Sequence, residues 1–396
     1  MPRANSFRRP VNIVFVGAGA VGCFYASRLH HPTHNIHTSL IARSNYKAIA
    51  ANGVQMQTHS FGDYTFAPAA AFPTVAVAAA GARDWHYIIV TTKALPDRTD
   101  DSELIAPLVG PRSCIVLIQN GVGVEDPYRR RFPQTPIVSA VTVISAEQVA
   151  PGAIRQNRWT RIHLGPYTNS ASSSPSAASV RQSPSATKSG ADTTGAVTSA
   201  GGVPAGDSSA DADAAAAQLL LLAQRGVACT AALADWWSRL GSIRDAEVSD
   251  EVGLQTVRWH KLCINAAFNP SAVLSGGRGN ADMAGDPELR RHLAGVMEEI
   301  RAAAPAVLGR PFPEEMAGPE RILRSTERNV GGRPSMLLDW EARRPLEIEV
   351  ILGNPVRIAR AKGVELPRLQ SLYALLRSVQ AMREAEVEGK RAKGKL

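Results

Sequence analysis

Cysteine, acidic residues near the amino terminus, and long apolar runs are all scarce in this chain of 396 residues. The four cysteines, Cys23, Cys114, Cys229 and Cys263, show no metal-ligand spacing and sit among apolar neighbours. Buried free thiols in a reducing compartment are therefore expected, and neither disulfides nor a metal site. No run of 18 or more apolar residues occurs, which argues against a transmembrane segment. From residue 168 to 218 there is no Leu, Ile, Met or aromatic residue. Such a stretch cannot bury enough apolar surface to offset the entropy of ordering it, so Thr168 to about Asp211 is expected to be a disordered insertion in a surface loop. The first acidic residue is Asp63. No carboxylate is thus available to a ligand from the opening elements.

The net charge is +9, yet the basic residues are dispersed except at Arg129 to Arg131 and in the tail from Lys390 to Lys395. No aromatic residue interleaves with either cluster, so a nucleic-acid partner is not expected, nor is a membrane. An anionic small molecule accounts for part of the positive balance equally well. Arg3, Arg8 and Arg9 faintly echo a presequence, but a strand begins by Val11. The closing Gly-Lys-Leu is only loosely like a peroxisomal address. A cytoplasmic protein is the expectation, and a homodimer is admitted.

Val11 to Val16 is an apolar, β-branched run, followed by Gly17-Ala18-Gly19-Ala20-Val21-Gly22 and a helix-compatible stretch from Cys23 to Leu29. This is the strand, glycine turn and helix of a dinucleotide-binding unit. Gly17 permits the tight turn, Gly19 lets the backbone approach a pyrophosphate, and Gly22 lets the helix pack against the strand. Free N–H groups at the helix start then bind the phosphates. An NAD site also needs an acid about 20 residues on, and here there is none. Arg43 stands instead, 21 residues past Gly22 at the end of the next apolar strand. A guanidinium there can bind the 2′-phosphate of NADP, the alternative being a surface arginine. NADPH is preferred.

Tyr87 to Thr92 runs into Lys93, and Cys114 to Ile118 runs into Gln119-Asn120-Gly121. Ligands of open parallel sheets lie at the carboxyl ends of the strands, which places Lys93 and Asn120 at the cofactor or substrate. Asn120-Gly121 is also an ordinary turn signal. Further strands are expected from Thr135 to Ser145 and Ala153 to Leu164, then a helix from Ala214 to Gly226 and a short strand from Val227 to Thr230. Beyond about Asp245 the pattern is helical, interrupted near Gly276 to Gly279 and Gly331 to Pro334. The domains so divided are 1–245, a cofactor-binding unit, and 246–385, a helical unit, with a basic tail over 386–396.

Within the helical part, Trp259 to Pro270 places Lys261, Asn265 and Asn269 on one face at steps of four. One cation and two amides could line a polar site, or the lysine could snorkel and the amides face water. Large apolar flanks, Trp259, Leu262, Ile264 and Phe268, leave little of this helix for a freely solvated face. Pro270 is expected to close the helix directly after Asn269.

The ordered set of GAGAVG, Lys93, Asn120-Gly121, the WHKLCINAAFNP helix, and Pro334-Ser335-Met336-Leu337-Leu338-Asp339 followed by Glu347 resembles the ketopantoate reductases. The likeness covers nearly the whole chain outside the insertion and tail. It implies an α/β Rossmann-like N-terminal domain and an all-α C-terminal domain, 6-phosphogluconate dehydrogenase-like, with the active site in the cleft between them. It further implies NADPH-dependent reduction of 2-dehydropantoate to (R)-pantoate in pantothenate synthesis. Lys261 would be the catalytic acid. Asn265, Asn269 and Asn280 would hold substrate, and Ser335 its carboxylate. Asn120 would bridge cofactor and substrate, and Glu347 would sit near the nicotinamide ribose and the lysine. Two features depart from the family pattern: Asn280 lies one residue further from Asn269, and Gly331-Gly332-Arg333 stands where an asparagine is usual.

By sequence spacing alone Glu347 could pair with Arg343 on a helix surface, and Ser335 could cap a helix. Two other functions are weighed: a same-fold reductase for another 2-oxo acid or ketone, and a non-catalytic NADPH-binding regulator. Intact Lys261, Asn265, Asn269, Ser335 and Glu347 argue against the regulator, which has no use for a proton donor.

Overall fold

The computed structural model describes residues 9–81, 83–168 and 208–393. The strands are β1 (Val11–Val16), β2 (Ile36–Ile41), β3 (Val54–Thr58), β4 (Gly62–Phe66), β5 (Ala71–Phe72), β6 (Tyr87–Val90), β7 (Cys114–Leu117), β8 (Ile137–Ala150), β9 (Ala153–Tyr167) and β10 (Ala246–Val248). They form one sheet in the order β4-β3-β9-β8-β7-β6-β1-β2-β5, with β10 beside β9. From β5 to β8 all neighbours are parallel, whereas the long β8 and β9 run antiparallel. The strand order turns around at β1, where β2 lies on one side and β6 on the other. A cleft at the carboxyl end of β1 follows from that reversal. Ile13 to Val16, Ile88 to Val90 and Ile115 to Leu117 are almost wholly buried, as strands covered on both faces must be.

Helices α1 (Ala20–Ser27), α2 (Tyr46–Asn52), α3 (Val75–Ala80), α4 (Asp101–Ile105), α5 (Asp126–Arg131) and α6 (Ser208–Asp235) belong to this part of the chain. The helical part comprises α7 (Glu251–Leu274), α8 (Asn280–Gly285), α9 (Pro287–Leu308), α10 (Pro319–Glu327), α11 (Ser335–Glu341), α12 (Asn354–Ala361) and α13 (Pro367–Lys393). Its core sets Trp259, Leu262, Ala266 and Phe268 of α7 against Leu293, Val296, Met297 and Ile300 of α9. Ala94, Val122 and Val124, from loops after β6 and β7, are buried in that same core. The two halves of the molecule therefore share apolar interior at the strand ends.

Several expectations are corrected. Val227–Thr230 is helix, not strand, because α6 runs unbroken to Asp235 and on through a π-helical turn, Trp236–Leu240. Its stripe of Leu222, Gly226, Thr230, Leu233 and Trp237 packs inward at helical spacing, and the Thr230 hydroxyl donates to the Gly226 carbonyl (2.8 Å), so β-branched residues fit without a sheet partner. Although no apolar run of 18 residues exists, Ala216–Leu240 is long and apolar enough, by length and composition, to cross a membrane. Here its carboxyl end is core: Trp237 Nε1 donates to the Tyr25 carbonyl (3.1 Å), while Leu219, Leu220, Leu221 and Val227 are exposed.

Pro270 does not end α7, which continues to Leu274. The missing N–H costs one bond to the Ala266 carbonyl, and burial of Phe268, Asn269, Ser271 and Ala272 carries the helix past it. Through the expected basic tail, α13 continues as far as Lys393. Apart from its ends, the insertion expected over 168–211 lies outside the described residues. Arg129, from the one internal basic cluster, bonds the carbonyls of Phe132, Pro133, Thr135 and Tyr167, and Arg131 pairs with Asp100. These guanidiniums tie loops together. All four cysteines are free thiols, three of them buried and Cys229 half-buried.

Candidate active site

The turn after β1 is built for glycine. Gly17 has φ +114°, and a Cβ on it would lie 2.9 Å from the Thr91 hydroxyl and the Thr92 nitrogen. At Gly22 a Cβ would fall 2.1 Å from the Gly17 carbonyl, so α1 can approach the strand only without a side chain. Gly19, by contrast, faces open space. No side chain caps α1, leaving its first N–H groups free for an anion. Ala18, Ala20 and Val21 complete the loop, and the Ala18 carbonyl accepts from the Asn45 amide (2.7 Å). A pyrophosphate fits this cradle by the chemistry of its donors. Arg43 is exposed two residues past β2, near enough to Asp101 that its charge, with the bonds from Thr92, Gln119 and Thr99, opposes the rise that burial imposes on that carboxyl.

Three elements converge on Lys261. Its ammonium donates to the Asn120 Oδ1 atom (2.9 Å), and the Asn120 amide donates in turn to Glu347 Oε2 (3.3 Å). The other carboxylate oxygen of Glu347 accepts from the Ala94 N–H (3.3 Å). Thus α7, the loop after β7 and the segment before α12 are joined across the cleft by one chain of polar contacts. Burial pulls the Lys261 ammonium down from 10.5 to about 8; the Arg258 guanidinium adds to the fall and the Glu347 carboxylate opposes it. Glu347 is raised by burial, against the Asn120 bond, the Lys93 charge and the Ala94 N–H, which all favour its ionised form. A surface pair with Arg343 is ruled out. Arg343 is exposed in a left-handed turn after α11, whereas Glu347 is only 8% exposed.

Gly121 is more than a turn residue. With φ +84°, it brings the loop so near the π-helical turn Glu349–Gly353 that a Cβ would lie 2.3 Å from the Val350 carbonyl. The Val122 N–H donates to that carbonyl (2.9 Å).

The remaining expected residues take varied places. Asn265 is half-buried and lines a cavity of about 10 Å³ with Asn120, Lys261 and Arg258, room for about one water. Asn269 is buried one turn further along α7. Asn280 opens α8, its N–H bonded to the Gly332 carbonyl (2.9 Å), so the glycine pair that departs from the family pattern is tied to it directly. Its Oδ1 atom is buried without a hydrogen-bond partner. Ser335 is exposed and is the first helical residue of α11, while Pro334 occupies the cap position without a side-chain bond; Ser335 is therefore not a cap. The Lys93 ammonium is ion-paired with the buried Asp339 of α11, which also holds Arg344 (2.9 Å).

Sequence reasoning missed three groups. Asn45 looks like a capping residue, yet it makes no cap and instead bonds Ala18 and Gln148, pinning the glycine loop. Asp101 accepts from Thr92 (2.6 Å) and Gln119 (3.1 Å) beside the cleft. Arg258 and Glu125 form a buried ion pair (3.1 Å) behind Asn120. Of these only Arg258 carried a signal, since it precedes Lys261 by three and extends the same helical stripe.

Comparison with known proteins identifies the family. The family model described as "Ketopantoate reductase PanE/ApbA" matches residues 13–169, and that described as "Ketopantoate reductase PanE/ApbA C terminal" matches residues 253–380. A 2-dehydropantoate 2-reductase of Nostoc sp. is 24% identical over 365 residues, covering 91% of this chain and 93% of that protein. The crystal structure of 2-dehydropantoate 2-reductase from Methylococcus capsulatus superposes with a TM-score of 0.69 at 30% identity, covering 94% of this chain and 97% of that one. D-mandelate dehydrogenase in complex with NADH shares the fold, with a TM-score of 0.61 at 18% identity over 94% of this chain and 99% of that one. Matched over both its halves, the chain belongs to the ketopantoate reductase family, oxidoreductases that act on 2-oxo acids with a nicotinamide cofactor.

Proposed function

We propose that the protein reduces 2-dehydropantoate to (R)-pantoate with NADPH, and that Lys261 donates the proton. The observation that carries this reading is the Lys261–Asn120–Glu347 chain across the cleft. NADPH, when bound, supplies the hydride delivered to C2 of the oxo acid. Gly17, Ala18, Gly19, Ala20, Val21 and Gly22 would hold its pyrophosphate, Arg43 its 2′-phosphate, and Lys93, Asn120 and Glu347 would face its nicotinamide end.

Lys261 performs two tasks. Its ammonium stabilises the negative charge that develops on the ketone oxygen, then gives that oxygen a proton, so the hydroxyl forms as C2 is reduced. The neutral amine left behind regains a proton from solvent. Because its ammonium is held near pH 8, the lysine is both charged at neutral pH and a better acid than a free lysine. Glu347 keeps part of that charge in place and orients Asn120. Asn265, Asn269 and Asn280 would bind the hydroxyl end of the substrate, and Ser335 its carboxylate.

A second reading, a different 2-oxo acid as substrate, is favoured at one spot. Gly331-Gly332-Arg333 meets Asn280 through the Gly332 carbonyl, so the substrate side differs where the family usually has another amide. One assay separates the readings: NADPH oxidation with 2-dehydropantoate, with a panel of 2-oxo acids, and with NADH in place of NADPH. The proposal expects the highest kcat/KM for 2-dehydropantoate with NADPH. A better oxo acid would overturn the substrate assignment, and no turnover with any would favour a cofactor-binding regulator.

A further inference from the structure

Arg258 is 3% exposed, and beyond its charge acting on Lys261 it has no part in the reading above. It sits one turn before Lys261 on α7. Its Nη1 atom donates to the carbonyls of Gln119 and Gly121, each at 2.9 Å, the two residues that flank Asn120. Its Nη2 atom donates to the Ser139 hydroxyl (2.5 Å) and the Ala140 carbonyl (3.1 Å) on β8. The Nε atom is ion-paired with Glu125 (3.1 Å), which is 1% exposed and also accepts from Ser139 (2.6 Å) and Gln255 (3.0 Å).

Such a pair is a poor device for stability, because taking two charges out of water costs about as much as their attraction returns. Its geometry has a different consequence. One helix carries both the lysine and the clamp on the loop whose asparagine receives that lysine's hydrogen bond. We infer that Arg258 is a positioning residue: through its fork it fixes Asn120 against Lys261, and Glu125 is the counter-charge that sets the field the lysine feels. The inference rests on Lys261 being the proton donor.

The charged and titratable groups around Lys261 are Arg258 on its own helix, with Glu125 behind it, and Glu347 before α12, with Lys93 and Asp339 beyond. Signs follow from this arrangement. Removing the Glu125 charge leaves Arg258 uncompensated and disfavours the ammonium further. Removing the whole pair relieves the lysine of a nearby cation.

The test uses the full chain with Glu125→Gln, Arg258→Lys and the double variant Arg258→Met/Glu125→Leu, chosen because apolar replacement of a buried pair is commonly tolerated. The measurements are kcat and KM for 2-dehydropantoate against pH, and the Kd for NADPH. Loss of rate at high pH should move to lower pH in Glu125→Gln, by about half a unit or more, and to higher pH in the double variant. Arg258→Lys keeps the charge but not the fork, so it should hold the wild-type pH limb while kcat falls about tenfold or more, with NADPH Kd nearly unchanged. A structural filler would lower thermal stability without moving the limb. Limbs that coincide in all variants, or shift in the same direction, overturn the inference, as does full kcat in Arg258→Lys. Should the wild type fail to oxidise NADPH with any 2-oxo acid, the proposed function fails instead. The lysine's titration is then followed by the pH dependence of Lys261 modification with trinitrobenzenesulfonate, with the same opposite shifts expected and their absence overturning the inference.

Discussion

Replacing Gly121 by alanine tests the coupling between the two halves of the molecule at its tightest point. The new Cβ would lie 2.3 Å from the Val350 carbonyl, whereas ordinary contact begins at 3.4 Å, so one segment must retreat by about 1.1 Å. Backbone strain at φ +84° adds about 1–2 kcal/mol and overpacking another 1–3 kcal/mol. At about 2 °C per kcal/mol for a chain of this size, Tm should drop by roughly 4–10 °C. The consequence for rate is larger in kind. Val350 stands three residues after Glu347, and Gly121 is the neighbour of Asn120, so the retreat opens the Asn120–Glu347 contact of 3.3 Å. A displacement of about 1 Å at such a site can cost about a hundredfold in rate. The assay is kcat for NADPH-dependent reduction beside a thermal melt. Gly62→Ala is the control, since Gly62 has φ +72° with nothing within 4 Å of a Cβ; it should lose stability through strain and keep kcat. A Gly121→Ala protein with wild-type kcat and Tm would refute the reasoning.

Other outcomes follow from the same geometry. If the Lys261 ammonium is the proton donor, kcat should be level at neutral pH and fall with unit slope in log rate above about pH 8; a profile still level at pH 10 would count against the assignment. Arg43→Ala should narrow the preference for NADPH over NADH by about ten- to hundredfold, the worth of a hydrogen bond to a charged group, measured as the ratio of kcat/KM values; an unchanged ratio would mean Arg43 is only a surface residue. Asp339→Ala strips the Lys93 ammonium and Arg344 of their shared carboxylate, and since both cations are substantially exposed the loss should be about 1–2 kcal/mol, seen as a fall of a few degrees in Tm.

Where each side chain would stand was legible in proportion to how local its cause was. The glycine loop could be read outright because Gly17 and Gly22 answer to contacts within a single strand, turn and helix. Lys261, Asn265 and Asn269 were readable as a stripe because helical pitch fixes their face. At Pro270 the cause is tertiary: burial on several sides carries α7 past the one lost backbone bond. Over Val227–Thr230 the β-branched residues suit a strand locally, and only the packing of the inward stripe that runs through them makes the segment helix. Glu347 lay beyond spacing arguments altogether, because a π-helical turn and the loop at Arg343 break the periodicity that would link it to a neighbour. Glu125, five residues past Asn120, looks like any loop acid until Arg258 arrives from a helix 133 residues later.

The proposed reduction of 2-dehydropantoate stands or falls with Lys261 as the group that protonates the ketone oxygen. It is tested most directly by comparing the wild type with Lys261→Ala at neutral pH, following NADPH absorbance with saturating 2-dehydropantoate and measuring NADPH binding separately by fluorescence. The expected result is robust turnover in the wild type and a loss of about a hundredfold or more in the variant, with NADPH still bound. Near-normal turnover in Lys261→Ala would contradict the account.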